Sequence, residues 1–250
     1  MKRSTDRILT THVGSLPRPD ELLDVMIAQD KGEDVDKADY DNRLKQAVAG
    51  VVQKQVDLGV DIVDDGEFSK RGFAVYAHER LGGLEPTGRP RPSPWAESRE
   101  SHAFPEFYAA EQGAKDKKPT PSSMQMACTS ALTYKGQALL DRDLANLRAA
   151  ADAAGVEEAF VPAISCSDIA GNQLNKHYDS DDDFLYAIAD AMNVEYKAIV
   201  DAGFLLQIDD PRLINYYVKN PQLSVDECRA WAETQVEAIN HSLKGIPEDR

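Results

Sequence analysis

The chain has 250 residues, 42% of them hydrophobic, and its 43 acidic against 28 basic side chains give a formal net charge of −15. This balance disfavours nucleic acids and anionic membrane surfaces as partners, because both repel a strongly acidic protein. No stretch approaches the roughly 20 apolar residues of a membrane span, and the first residues are too polar for a signal segment. The three cysteines lie far apart, at positions 128, 166 and 228, and make no disulfide framework. We expect a reduced, cytoplasmic protein.

The first third of the chain alternates between strand-like and helix-like patterns. A β-branched run predicts a first strand over Ile8–Val13, and a short helix is expected over Glu21–Ala28. A long helix then ends at Gly59, a natural left-handed C-cap, and Asp61–Glu67 is a second short strand that ends in acids. Helical residues resume after Gly72. The long helix is indicated by one apolar stripe, made of Leu44, Val48, Val51, Val52 and Val56.

A long irregular insertion is expected at about residues 83–122. The segment is rich in proline and charge, which disfavours regular structure. Irregular segments of this length are usually lids or binding loops. Its scattered aromatic residues, among them Trp95 and Phe104, favour packing against the body of the protein over a free linker.

Strand and helix patterns return after the insertion. Met124–Leu132 predicts a third strand, Leu139–Ala154 an alanine-rich helix, and Ala159–Ile164 a fourth strand. We expect Ser165–Tyr178 to be a loop.

The last part of the chain carries the clearest helix signals. Ser180 is a predicted N-cap for a helix that ends at Gly203, and the fifth strand follows at Phe204–Asp209. Ser224 and Glu227 have the spacing of a capping box. The stripe of that last helix includes Cys228, for which burial is a better prediction than ligation.

Five alternations of strand and helix predict a parallel sheet with helices outside it. We therefore predict an α/β fold of the (β/α)8 TIM-barrel type, apparently truncated after about five βα units. Residues 1–250 would form a single incomplete barrel domain that carries the insertion.

Polar residues follow four of the predicted strands and should meet at one rim, since parallel strands end at the same edge. They are His12–Ser15, Asp64–Glu67, the loop after Ile164, and Gln207–Asp210. Carboxylates could bind an ammonium group, hold a metal, or act as acid and base, and Gly14 and Ser15 could meet a carboxylate. Such a site suits an amino acid. Functional roles are predicted for Glu67 and Asp209, whereas Asp64, Asp65 and Asp210 are expected to cap helices.

Metal motifs are weak in this sequence. The five histidines form neither a His-x-Cys nor a His-Glu-x-x-His pattern. His12 is the one histidine at the expected rim, where a structural role is as plausible as ligation.

Three ordered motifs resemble the cobalamin-independent methionine synthase family. They are Thr10–Pro19, Asp65–Phe68 and Leu206–Pro211, and the likeness extends through 132–136 and 175–178. The sequence is most similar to the single-barrel branch of that family, which resembles its C-terminal domain and includes epoxyalkane:coenzyme M transferases.

The resemblance implies a (β/α)8 barrel in which zinc activates a thiol for alkyl transfer. It implies that Val13, Gly14, Ser15, Glu67 and Asp209 bind the amino-acid part of homocysteine, with His12 and Asp210 as possible rim residues. The family's zinc ligands would lie beyond residue 250, so that none of these residues inherits a metal or catalytic role, and the 250-residue chain alone is expected to be inactive.

The leading functional prediction is zinc-dependent methyl transfer from 5-methyltetrahydrofolate to homocysteine, which makes methionine. A coenzyme M alkyltransferase and a metal-free amino-acid-binding relative stay open as alternatives. The expected partners are a small thiol and an alkyl donor, for which a folate is the candidate, with no nucleic acid and no membrane.

Overall fold

Parallel pairing joins four segments of the chain side by side in the computed structural model, which describes residues 1–93, 95–113 and 124–250. In the first two segments, Thr11 forms an isolated parallel β-bridge with Ile62, and Val63 forms another with Ala159. Strand β3 (Phe160–Ile164) then pairs in register with strand β5 (Leu205–Asp209). Since every pairing in this row is parallel, the carboxyl ends of its segments lie along one edge.

The predicted third strand lies outside this row. Strand β2 (Met124–Tyr134) pairs antiparallel with β1 (Leu81–Pro90) and parallel with β4 (Gln173–Asn175), in a separate sheet of order β1-β2-β4. Because β2 is not part of the row, the second predicted strand pairs with the fourth, through Val63 and Ala159. The strands of the described residues close no barrel, so the architecture shown is a mixed α/β fold and the complete (β/α)8 barrel stays a prediction.

The insertion expected at 83–122 contains more regular structure than its composition indicates. Its first residues belong to β1, and two short helices follow, α4 (Arg99–Ala103) and α5 (Pro105–Gly113). Prolines within β1 are tolerated because β1 is an edge strand, where a missing N–H need not face a partner. Residues 94 and 114–122 of the predicted insertion lie outside the described residues.

The predicted first and second strands reduce to isolated bridges. Asp61 supplies the reason, because its Oδ2 accepts hydrogen bonds from the Thr10 backbone N–H at 2.7 Å and from the Thr10 hydroxyl at 3.0 Å. Hydrogen bonds to a side chain thus replace some of the backbone–backbone hydrogen bonds that a regular strand pair would form here. Ile8 is 83% exposed, so the start of the first segment has no core to pack against.

The expected loop Ser165–Tyr178 instead contains a helix and a strand, α7 (Cys166–Asn172) and β4. Ser165 accepts a hydrogen bond from the Asp168 N–H at 2.9 Å and thereby caps α7. A further helix, α9 (Pro211–Lys219), has Asp210 as its N-cap, and no sequence pattern predicted it. The predicted caps at Ser180 and Ser224 are both present.

Helices pack over these sheets. The predicted stripe of the long helix is buried except for partly exposed Val56, whereas Val225 and Val236, two apolar residues of the last predicted stripe, are exposed. The remaining helices are α1 (Asp20–Asp30), α2 (Lys37–Asp57), α3 (Phe73–Arg80), α6 (Gln137–Ala153), α8 (Asp181–Asp201) and α10 (Val225–Ser242). The apolar stripe of α8 is buried along its whole length, and it consists of Leu185, Ile188, Met192, Tyr196 and Ile199. Cys228 is buried as predicted. None of the helices in the described ranges has the length and apolar character needed to cross a bilayer.

Candidate functional site

A tight turn follows Val63 at the carboxyl edge of the parallel row. The Asp64 Oδ1 accepts a hydrogen bond from the Gly66 N–H, and the Asp65 Oδ1 accepts one from the Glu67 N–H, both at 2.8 Å. These side chains mimic a backbone turn. Gly66 has a φ of 65°. Among the residues that the structure describes, Glu67 is the one non-glycine residue with a positive φ, 58°, a strained conformation for its type. Asp64 and Asp65 therefore shape the turn that presents Glu67.

Glu67 is held by the Gly-Ser segment that follows residues 8–13. The Ser15 hydroxyl donates to the Glu67 Oε2 at 2.7 Å, and the Leu16 N–H donates to the Gly66 carbonyl at 3.1 Å. Glu67 is only 4% exposed, and its Oε1 has no hydrogen-bond partner among the described residues. Buried carboxylate oxygens are normally satisfied, so the missing donor to this oxygen calls for an explanation.

Arg18 clamps the same turn from the other side. Its Nε donates to the Phe68 carbonyl at 3.2 Å, and its Nη2 donates to the carbonyls of Glu67 at 2.7 Å and Lys70 at 2.5 Å. Sequence reasoning placed Arg18 in a motif but gave it no role. The sequence feature that could have indicated a role is its position between two prolines, shortly after Gly14 and Ser15.

Asp209 lies at the end of β5, on the same edge as Glu67. Its Oδ1 accepts a hydrogen bond from the Gln207 amide at 2.8 Å, and its carbonyl accepts one from the Ser165 N–H at 3.0 Å. Burial raises the pKa of Asp209, and the nearby charge of Glu67 raises it further. Ser15, Glu67 and Asp209, which are far apart in sequence, are thus brought together at one edge.

A buried lysine offsets these acids. The Lys70 ammonium donates to the Pro162 carbonyl and lies 5.5 Å from the centre of the Tyr76 ring. Burial raises the pKa of Asp65, and the positive charge of Lys70 opposes that rise, as it does for Asp209. Sequence reasoning missed Lys70, although its position three residues after Glu67 in a short turn was a usable signal.

The other predicted rim residues have mixed placements. His12 Nε2 lies 2.9 Å from the Gly14 carbonyl, and Gly14 has a φ of +90° that favours glycine. Val13 is exposed. Asp210 accepts hydrogen bonds from the Ser165 hydroxyl and the Leu213 N–H, and it therefore caps α9 rather than facing a ligand.

Two further stretches of the family likeness have structural roles. The Asn175 side chain accepts a hydrogen bond from the Tyr178 N–H at 3.0 Å, and the Tyr178 hydroxyl accepts one from the Leu132 N–H at 2.9 Å. The Tyr134 hydroxyl donates to buried Glu195 at 2.7 Å. These contacts join β2, the turn after β4 and α8, and they do not reach the Glu67 turn.

The family likeness implies zinc, and the described residues do not fit it. Within the described ranges, no three histidine, cysteine, aspartate or glutamate side chains come together as possible metal ligands. The three thiols are buried, and burial together with the charge of Asp210 raises the pKa of Cys166 to about 12, which opposes the thiolate that a metal needs. Zinc binding stays a prediction from the family resemblance.

Comparison with known proteins gives a consistent set of matches. A family model described as the catalytic domain of cobalamin-independent synthase matches residues 8–110. The methionine synthase of Sulfolobus acidocaldarius is 24% identical over 95% of this chain and 58% of its own length, and that of Saccharolobus solfataricus is 26% identical over 95% and 59%. A 5-methyltetrahydropteroyltriglutamate–homocysteine methyltransferase of Lactococcus lactis is 34% identical over 74 residues, which are 30% of this chain and 10% of that protein.

Solved structures have the same fold. A B12-independent methionine synthase from Shewanella, in complex with selenomethionine, matches with a TM-score of 0.66 at 18% identity, over 95% of this chain and 58% of that one. A putative vitamin-B12 independent methionine synthase from Listeria monocytogenes matches with a TM-score of 0.67 at 18% identity, over 97% and 64%. The chain spans less than two thirds of the length of these proteins. With the ordered motifs described above, these matches show that the chain is similar to cobalamin-independent methionine synthases.

Proposed function

We propose that the chain binds the amino-acid part of homocysteine at the edge formed by Ser15, Glu67 and Asp209, as one component of methyl transfer to that thiol. The observation that carries the proposal is the free Oε1 of Glu67. This oxygen is buried and unpartnered among the described residues, while its neighbour Oε2 is fixed by Ser15. A carboxylate presented in this way is suited to an ammonium group.

The charges around the edge support an amino acid as the ligand. An ammonium group beside Glu67 and Asp209 would relieve the repulsion that raises the pKa of Asp209. Because the Ser15 hydroxyl donates to Glu67, the carboxylate of the ligand would be bound by backbone N–H groups of Val13 to Ser15. The Shewanella relative was solved with selenomethionine, an amino acid of the same class as the proposed ligand.

Arg18 and Lys70 would position the site without touching the ligand. Arg18 fixes the backbone of the Glu67 turn through three carbonyl oxygens. Lys70 favours the ionised form of the neighbouring acids, because its positive charge opposes the rise in pKa that their burial causes. A preorganised carboxylate loses little entropy on binding, which strengthens recognition of the amine.

Isothermal titration of the 250-residue chain with homocysteine and methionine tests the proposal. We expect saturable binding, and we expect Glu67→Gln and Asp209→Asn each to weaken it about tenfold or more, the effect of removing a charge-assisted hydrogen bond. Asp182→Asn is the matched control, since Asp182 is an exposed carboxylate in the first turn of α8. Equal affinity in the Glu67→Gln and control variants would refute the assignment.

The same titration separates the alternatives. If added zinc strengthens the binding of homocysteine but not that of methionine, the zinc-dependent methyltransferase is favoured. If zinc changes neither affinity, the metal-free amino-acid-binding relative is favoured. Coenzyme M carries a sulfonate and no amine, so a preference for it over homocysteine would favour the coenzyme M alkyltransferase. A folate as the methyl donor is then tested by titration with 5-methyltetrahydrofolate, since the 250-residue chain alone is expected to be inactive.

A further inference from the structure

A groove lies on the outer side of the molecule, between the start of α1 and the middle of α2. It has a volume of about 410 Å³, within the range of small-molecule sites. Its apolar wall includes Leu22, Val51 and Phe68. Ser15, Glu67 and Asp209 are not part of its lining, so the groove is separate from the site proposed above.

The groove is basic in a strongly acidic chain. Arg18, Arg43 and Lys54 line it, against one acidic residue, Glu21. Arg43 shares its charge with Asp39 at 2.8 Å and with Glu21 at 4.0 Å. With 43 acidic and 28 basic residues in the chain, this local positive excess is not expected from composition.

Gly50 keeps the groove open. It lies in the middle of α2, where glycine lowers helix stability by about 1 kcal/mol relative to alanine. A Cβ built at this position would meet no other atom within 4 Å, so the helix could accept a side chain here without a clash. The residue therefore leaves free space beside the apolar wall and the basic side chains.

We propose that this groove binds a small amphipathic carboxylate, with its apolar body against Leu22, Val51 and Phe68 and its anionic group toward Arg18 and Lys54. A purely inorganic anion would leave the apolar wall unused, and an apolar cation would face the three basic side chains. The bound molecule would lie against Arg18, whose guanidinium also holds the Glu67 turn. Binding of a molecule in the groove would therefore affect the conformation of the Glu67 turn.

Octanoate is the probe, and binding to the full chain is followed by two-dimensional amide NMR. We expect saturable binding, with the largest shift changes at Arg18, Leu22, Gly50 and Phe68. Gly50→Leu fills the groove and should weaken octanoate binding about tenfold or more. Ala49→Leu introduces the same side chain at the neighbouring exposed position, which does not line the groove, and should leave binding unchanged.

Charge is tested separately from shape. Lys54→Gln should weaken octanoate binding about threefold or more, whereas Lys45→Gln, on the same helix and outside the groove, should not. Octyltrimethylammonium and inorganic phosphate should each bind at least about tenfold more weakly than octanoate. The proposal is overturned by an absence of saturable octanoate binding, by unchanged binding in Gly50→Leu, or by equal binding of either comparison probe. Homocysteine titration is independent of these results, so the two proposals can fail separately.

Discussion

Asp64 gives the sharpest prediction, because its carboxyl group is buried and one of its oxygens, Oδ2, has no partner within the described residues. Burial raises the pKa of Asp64 from the usual 3.8 to about 7, and the charge of Asp65 adds to the rise. Between these two values the folded protein binds more protons than the unfolded chain. Stability therefore falls as the pH rises from about 4 to about 7.

The size of the effect follows from that difference. At about 1.4 kcal/mol per pH unit, ionised Asp64 lowers the free energy of unfolding by at most about 4 kcal/mol above pH 7. An asparagine in its place cannot ionise, and the amide oxygen can still accept the 2.8 Å hydrogen bond from the Gly66 N–H. We expect Asp64→Asn to be more stable than the parent by roughly 2 to 4 kcal/mol at pH 8 and nearly equal to it at pH 4.

Urea unfolding across pH 4 to 8 measures this difference. Asp61→Asn is an informative control, because the hydrogen bonds from Arg7 and from Thr10 lower the pKa of Asp61. That variant should be less stable than the parent throughout pH 4 to 8, because the stability that ionised Asp61 contributes is lost only as the pH falls below about 4. An Asp64→Asn variant that is less stable than the parent at pH 8 would refute the assignment of Asp64 as a destabilising buried charge.

Three further variants test the packing and capping by urea unfolding. Tyr134→Phe removes a 2.7 Å hydrogen bond to buried Glu195 and should lower the free energy of unfolding by about 1.5 to 3 kcal/mol, so a change below about 0.5 kcal/mol would contradict it. Ser224→Ala removes the capping box of α10 and should lower it by about 1 kcal/mol, with an unchanged midpoint arguing against a role for the cap. Leu147→Ala in the core should lower it by about 2 to 5 kcal/mol, and exposed Leu23→Ala by much less; similar values for both would show that the burial is misassigned.

The parts of the fold that sequence predicts are those fixed by local signals. Helix α8 was predicted because its apolar stripe and its cap at Ser180 are both encoded within a few turns. Strand β5 was predicted because a short apolar run follows a glycine. These patterns depend on residues close in the chain, and tertiary packing agrees with them.

The parts that sequence missed depend on distant partners. The prolines of β1 disfavour a strand, and only its edge position beside β2 makes them acceptable. The position of β2 outside the parallel row likewise depends on which strands it pairs with. The sequence of β2 alone does not specify those partners. Within the site, Glu67 and Ser15 were predicted to meet, whereas Arg18 and Lys70 were missed because their partners are backbone carbonyls without sequence signatures.

The left-handed backbone of Glu67 limits how this position can change. A branched side chain such as valine would clash with its own backbone at a φ of 58°, while glycine would fit the turn and lose the carboxylate. Adaptation of the pocket to a different ligand would therefore proceed more readily at Asp209, whose strand backbone tolerates most residue types, than at position 67.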